Sequence, residues 1–365
     1  MLLSAASKAH GFRLMPSASF SSSGSSGTKT IHKKADISLA QELKSHQDSS
    51  VNWIIPYGKS NLEARYVRRT NDKLSVYVSS HNGCTMGCKF CHLTNQNLTS
   101  FEHSTIDSYL IQLETVLDYY RQTVTNNDAI NISNATGIGN SGANKINNIN
   151  NDASNTIPSD NSRANRININ FMARGEPLAN KEVINRYPLL YNSFDGLINN
   201  YSSVLNSNHF RCNISTIMPK TIQKRELIDI FQGVPAYLYY SLYSIEQSFR
   251  DHWLPNAMPY LLALEKLKKF QEITSLPITF HWAIISGHND DLAMNTRMAA
   301  LLKSYNFNGR FSLVQYNPHP NSQSSESSES RQKEILKIYE SVFPKSKQIP
   351  RVGFDVKASC GMFVQ

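Results

Sequence analysis

The chain has 365 residues, enough for one large α/β domain or two smaller ones with a sizeable core. Hydrophobic residues make up 40%, no apolar run reaches the ~18 residues a membrane span needs, and five cysteines are too few for a disulfide scaffold. The formal charge of +9 favours an anionic partner such as nucleic acid, although residues 1–50 alone hold six Lys or Arg against three Asp or Glu.

Residues 1–35 contain no Asp or Glu, carry Lys8, Arg13, Lys29, Lys33 and Lys34, and include a serine-rich run over residues 17–26. That composition is transit-peptide-like. It predicts a mostly disordered leader over residues 1–50 and a mitochondrial or other organellar protein. A plain disordered tail on a cytoplasmic protein is the alternative. Residues 51–365 are expected to form the folded domain.

Residues 74–80 are a β-rich run. Directly after it comes Gly83-Cys84-Thr85-Met86-Gly87-Cys88-Lys89-Phe90-Cys91, with the spacing C-x3-C-x2-C. Three thiolates so close on one loop can hold three irons of a [4Fe–4S] cluster. The fourth iron is then free to bind the amino and carboxylate groups of S-adenosylmethionine (SAM). A zinc site is the metal alternative, with His92 the one neighbour at hand as a fourth ligand. Phe90 offers a face on which an adenine can pack.

Ser104 and Thr105 are candidate caps of a helix whose apolar stripe runs Ile106, Leu110, Leu113, Leu117 and Tyr120, and which is expected to end near Arg121. Residues 126–165 hold 13 asparagines in 40 without apolar periodicity and read as a disordered, low-complexity insertion. The strand at 167–172 ends in Met172-Ala173-Arg174-Gly175-Glu176-Pro177-Leu178. Gly175 lets backbone approach a ligand, and Glu176 can accept bonds from an ammonium group. Alone, G-E-P is also an ordinary turn. A helix at 181–191 follows. Strands at 211–216, 237–242, 278–285 and 311–315 lead to helices at 221–231, 259–270, 291–302 and 331–342. Leu261, Leu264 and Leu267 line the 259–270 helix, and Ile335, Ile338 and Val342 the last one. A Ser/Glu tract at 321–330 reads as unstructured. Ser215, Ser241 and Asn317 each close a strand. They suit a ribose, carboxylate or adenine, or serve as strand termini and helix caps.

Six β-then-α units in succession imply an α/β fold with a parallel sheet and right-handed crossovers. In barrels of such units the chemistry lies at the C-terminal ends of the strands, where each of these motifs falls.

Together these residues resemble the radical-SAM adenine-C2 methyltransferases of ribosomal RNA, the RlmN/Cfr family. The match spans roughly residues 62–363, interrupted by the Asn-rich insertion. It includes Val78-Ser79-Ser80, the G-E-P-L turn, Ile214-Ser215-Thr216, and Ser241-Leu242 followed by Arg250-Asp251. It continues through Gly287-His288-Asn289-Asp290, Asn317-Pro318-His319-Pro320, and Asp355 leading to Cys360-Gly361. The resemblance implies a partial (β/α)6 radical-SAM barrel, one [4Fe–4S] cluster on Cys84, Cys88 and Cys91, and SAM bound by Gly175, Glu176, Ser215, Ser241 and Asn317. It gives Cys360 the role of the thiolate that takes a methyl from SAM and carries the carbon to C2 of an unstacked adenine. It gives Glu63 a proton-accepting role, with one residue more before the cluster than in the family. Read without it, Cys360 is a buried terminal thiol and Glu63 a surface carboxylate among Arg65, Arg68 and Arg69. The implied partners are ribosomal RNA, its phosphates near Arg65, Arg68, Arg69 and Lys73, and an electron donor such as flavodoxin or ferredoxin. A monomer without a membrane partner is expected.

The chain departs from the family in three places. Seven residues before Cys84, where the family has a resolving cysteine, stands Tyr77, and a phenol cannot form the disulfide that frees the product. Cys212 is the only spare thiol. The family's N-terminal RNA-binding domain is expected to be missing or much reduced, and Ser-Leu-His becomes Ser241-Leu242-Tyr243. The alternatives to adenine methylation in large-subunit RNA are therefore a radical-SAM enzyme of different substrate or outcome, or a non-catalytic RNA-binding relative.

Overall fold

The computed structural model describes residues 35–99, 101–135, 163–320 and 322–364; residues 1–34 of the leader expected over 1–50 and residues 136–162 of the insertion expected over 126–165 lie outside them. Gln41–Lys44 (β1), Val51–Tyr57 (β2), Ser60–Thr70 (β3) and Lys73–Tyr77 (β4) pair antiparallel in turn. From β4 onward every pairing is parallel, through Arg166–Phe171 (β5), Phe210–Thr216 (β6), Tyr237–Tyr240 (β7), Ile278–Ala283 (β8), Gly309–Val314 (β9) and Lys347–Gln348 (β10). Spatial order equals chain order, with β1 and β10 as edges, so the sheet is an open, partial barrel.

The six expected parallel strands are all present. The antiparallel β1–β3 and the short β10 are additions, and they bring residues 35–50 into the folded unit. No alternation announced β2, because nearly every residue in it is buried on either face.

The crossovers are helical: His92–Asn95 (α1), Ile106–Ala135 (α2), Lys181–Asn199 (α3), Leu227–Phe231 (α4), Gln247–Trp253 (α5), Tyr260–Thr274 (α6), Leu292–Ser304 (α7) and Glu329–Glu340 (α8). Thr105 starts α2, its Oγ1 accepting from the Ser108 amide at 3.2 Å, and Leu113, Leu117 and Tyr120 bury the expected stripe. The helix runs to Ala135 instead of ending near Arg121, since no glycine or proline interrupts the sequence before Gly137. The insertion is shorter at its other end too. Ala164 is buried, its amide donating to the Tyr120 hydroxyl at 2.7 Å and its carbonyl accepting from the Asn206 amide at 3.0 Å.

In α6, Leu264 and Leu267 are buried but Leu261 is 46% exposed, so the stripe is narrower than its spacing suggests. The Ser/Glu tract carries order. Ser327 is buried and donates to Asp290 Oδ2 at 2.9 Å, Glu326 pairs with Arg351 at 2.9 Å, and Ser328 caps α8. Asp355 accepts from Ser45 Oγ at 2.7 Å and from the His46 amide at 2.8 Å, which ties the C-terminal segment to the β1–β2 turn. Among the described residues no helix is long and apolar enough to cross a membrane.

Candidate active site

Cys84, Cys88 and Cys91 line one pocket of about 140 Å³ beyond the C-terminal ends of β5, β6 and β7. Phe90, Gly175, Glu176, Ser215 and Ser241 line it as well. Burial pushes the Cys84 thiol up to about 12, with the charge of Cys91 adding to it, and pushes Cys91 up to about 11. Cys88 is driven up further by burial and by both neighbours. Thiolates crowded here need a bound cation, so the donor set fits a metal group. Among the described residues no three His, Cys, Asp or Glu side chains are placed to hold a single metal ion. A [4Fe–4S] cluster asks for thiolates on three separate irons instead. His92, the fourth ligand of the zinc alternative, directs Nε2 at the Asn317 carbonyl, 3.2 Å away.

The carboxylate of Glu176 accepts from the Leu178 and Ile217 amides, each at 3.0 Å, and burial raises its pKa to about 7. The Thr216 side chain hydrogen-bonds to the same carboxylate. Gly175 has φ +90°, and a Cβ there would lie 2.5 Å from His81 Nδ1. The glycine is thus required by the turn and by His81 behind it. Tyr243, in the left-handed region at φ +61°, stacks on Phe90 with centroids 4.3 Å apart and 17° between planes. It covers one face of Phe90, leaving an adenine only the other. Ser215 Oγ is 2.7 Å from His281 Nε2, and burial together with Arg310 lowers the His281 pKa to about 4, so this histidine is neutral.

Cys360, an exposed residue, lines this pocket and also a second cavity of about 620 Å³ inside the barrel. The surrounding protein raises its pKa, while Arg65 and Arg69 pull it down. Asn317 borders the larger cavity, not the smaller. Its Nδ2 donates to the Cys360 carbonyl at 2.9 Å, and its Oδ1 is buried without a hydrogen-bond partner. The Gly361 carbonyl accepts from the His92 amide at 3.1 Å, which joins the segment carrying Cys360 to the cysteine loop.

Glu63 is not a surface carboxylate: it is fully buried and borders neither cavity. Arg65 Nη2 lies 2.6 Å from Oε2 and Arg174 Nε 3.0 Å from Oε1. Asn52 Nδ2 donates to Oε2 at 3.2 Å and the Val364 amide to Oε1 at 2.9 Å. Arg65 also donates to the carbonyls of Ala358 (3.0 Å) and Met362 (2.7 Å), and Arg174 to that of Val364. The three side chains clamp the C-terminal segment that presents Cys360. Arg174 is 111 residues from Glu63, so no spacing in the sequence marks the pair.

Of the four basic residues expected near phosphates, Arg69 and Lys73 border the large cavity. Arg65 also borders it but is engaged by Glu63 and the tail. Arg68 donates to the Asn71 carbonyl at 2.7 Å and lies 5.4 Å over the Tyr120 ring, on the side facing α2. Tyr77 faces the large cavity, its hydroxyl accepting from Arg69 Nη1 at 3.2 Å. Cys212 does not reach the site. Arg211, Asn213 and Ser215 of β6 point to the cavities, while Cys212 between them is buried on the other face beside Tyr187; burial pushes its thiol up to about 12, against a smaller lowering by the Tyr187 hydrogen bond.

No protein-family model matches the chain. It is 25% identical to the dual-specificity RNA methyltransferase RlmN of Bartonella quintana over 296 residues, 79% of this chain and 61% of the relative. Against the RlmN proteins of Rhodopseudomonas palustris and of a Chelativorans species it is 24% and 26% identical, covering 82% and 86% of this chain and 64% and 69% of theirs. The chain thus spans less than two thirds of the length of the first two relatives. A radical SAM methyltransferase from Sphaerobacter thermophilus superposes with a TM-score of 0.62 at 18% identity, over 88% of this chain and 79% of that one. In sequence the chain resembles the RlmN methyltransferases over most of its length, and its fold is the partial barrel of that radical SAM methyltransferase.

Proposed function

We propose that the protein is a radical-SAM RNA methyltransferase acting on adenine C2 of large-subunit ribosomal RNA. Cys84, Cys88 and Cys91 hold a [4Fe–4S] cluster in this reading. SAM lies against Phe90, Gly175, Glu176, Ser215 and Ser241, with Asn317 Oδ1 as a free acceptor nearby. The observation that carries it is the double exposure of Cys360, which opens on the cysteine-lined pocket on one side and the large cavity on the other. Cluster and SAM supply a transferable methyl group and one-electron cleavage of a sulfonium.

The residues of the chain do the rest. Cys360 is the nucleophile; burial raises its pKa, and Arg65 and Arg69 offset part of that rise. Asn317 and the Glu63–Arg65–Arg174 clamp hold its backbone, so the thioether carbon stays between donor and acceptor. The target adenine must leave its stack to reach this depth. An electron donor such as flavodoxin or ferredoxin completes the partners, and the leader composition favours an organelle.

Mass spectrometry of the Cys360 peptide after anaerobic incubation with methyl-labelled SAM tests this; labelled S-methylcysteine is expected, and an unlabelled peptide from SAM-cleaving protein refutes it. Tyr77 favours a second reading, a radical-SAM enzyme whose product leaves without a disulfide. It faces the large cavity where a release thiol is needed, and Cys212 is turned away.

A further inference from the structure

Six arginines and three lysines line the large cavity, and among the described residues no Asp or Glu does. The charge is concentrated at the end opposite the cysteine loop. Arg166, Arg211 and Arg310 stand at or next to the first residues of β5, β6 and β9. Lys73 sits opposite Arg166 in the β4–β5 register, and Lys347 begins β10. The Nε atoms of all three arginines are buried without a hydrogen-bond partner. Asp72, whose field reaches Arg166, is paired with Lys73 at 3.1 Å. The arginines rest on aromatic groups: Arg211 lies 4.6 Å over the Tyr237 ring, and Arg310 Nη2 donates to the Tyr239 hydroxyl at 3.2 Å. The crowding has a cost. Burial and then Arg211 hold Arg166 below its ordinary pKa, and Lys347 is lowered by burial, then by Arg310 and Lys73. Arginines that merely close strands at a surface pair with carboxylates or spread into water. These converge on an interior chamber with donors unspent.

We propose that Arg166, Arg211 and Arg310, with Lys73 and Lys347, form a phosphate site at the N-terminal end of the barrel that takes the phosphate of a nucleotide whose base extends toward Cys360. Guanidinium forks match phosphate oxygens, and the tyrosines beside them offer faces to a sugar or base. A chamber of about 620 Å³ suits a single small-molecule-sized ligand. It therefore admits one extruded nucleotide and not a duplex. The destination of the base rests on the function proposed above; the phosphate site does not.

The test uses the full-length, cluster-loaded chain and a labelled single-stranded oligoribonucleotide, with affinity followed across salt, beside AMP and adenosine by calorimetry. The Arg211→Gln/Arg310→Gln variant is expected to bind the strand at least about tenfold more weakly. Its slope of log affinity against log salt should fall by about 1.4, at ~0.7 per contact. AMP binding that adenosine lacks, and that the variant loses, identifies a free nucleotide as sufficient. Loss confined to the oligonucleotide identifies strand phosphates. Affinity and slope unchanged for both probes would overturn the site. Iron content and melting temperature monitor folding, and Arg166→Gln alone repeats the measurement if the double variant is poorly folded. Wild type that binds as expected but methylates nothing would leave the phosphate site standing and remove the adenine-C2 reading.

Discussion

Glu63 acts on Cys360 through the backbone of residues 358–364, because its two oxygens accept from Arg65, Arg174, Asn52 and the Val364 amide. Glu63→Gln removes the only charge among those partners that balances the two guanidinium groups. Leaving them buried and uncompensated is expected to cost about 3–5 kcal/mol, read from urea denaturation. It should also loosen the tail, so that iodoacetamide alkylates Cys360 faster than in wild type. Unchanged stability and alkylation would overturn the clamp. The position of Cys212 makes an opposite demand. Its thiol is buried against Tyr187 with a pKa near 12, so Cys212→Ser should leave methylated product per enzyme unaltered. Tyr77→Cys puts a thiol into the cavity that Cys360 faces and is expected to raise multiple turnover. A fall with Cys212→Ser would mean that β6 turns over during the reaction.

At the scale of elements, α2 and the residues after the insertion set how much chain can be removed. Deleting residues 138–160 spares the helix and the Ala164 contacts, and lengthening or shortening a long loop changes closure entropy only slowly. The melting temperature should move by no more than about 2 °C, the order of shift that 1 kcal/mol produces in a domain of this size. Deleting residues 126–165 also removes Ala164, whose amide holds the Tyr120 hydroxyl, and should lower the melting temperature clearly. Equal behaviour of the two deletions by circular dichroism would show that the Tyr120–Ala164 join contributes nothing. The same region explains a misreading: asparagine is a weak helix former, but weak propensity does not end a helix already held by Leu113, Leu117 and Tyr120 against the core.

For the whole molecule, the open sheet leaves two kinds of interior at its two ends, buried thiols at one and uncompensated cations at the other. Both are costly in the empty chain and are offset by a ligand of opposite charge. The anaerobically purified protein is therefore expected to be brown, with about four irons per chain, and to melt higher than protein stripped by a chelator, since binding to the native state adds to stability. Cys88→Ala should lose the iron and that difference together. Retention of four irons and of 5′-deoxyadenosine formation by Cys88→Ala would remove the cluster assignment.

Local pattern in the sequence was sufficient for the parallel strands, most crossover helices and the cysteine loop. Apolar periodicity and C-x3-C-x2-C spacing are set by neighbours a few residues apart, and residues 74–80 and 84–91 carry them openly. It also sufficed to bring Phe90, Gly175, Glu176, Ser215 and Ser241 to one pocket, because strand ends in a β/α succession gather on one side. The tertiary structure alone decided that Glu63 and Arg174 form a buried pair, that Cys360 borders two cavities, that Cys212 faces away and that three strand-start arginines converge. Each of these depends on which face of a strand turns inward and on contacts closed across a hundred residues or more. A one-residue change of register reverses every such side chain, and no local spacing records it.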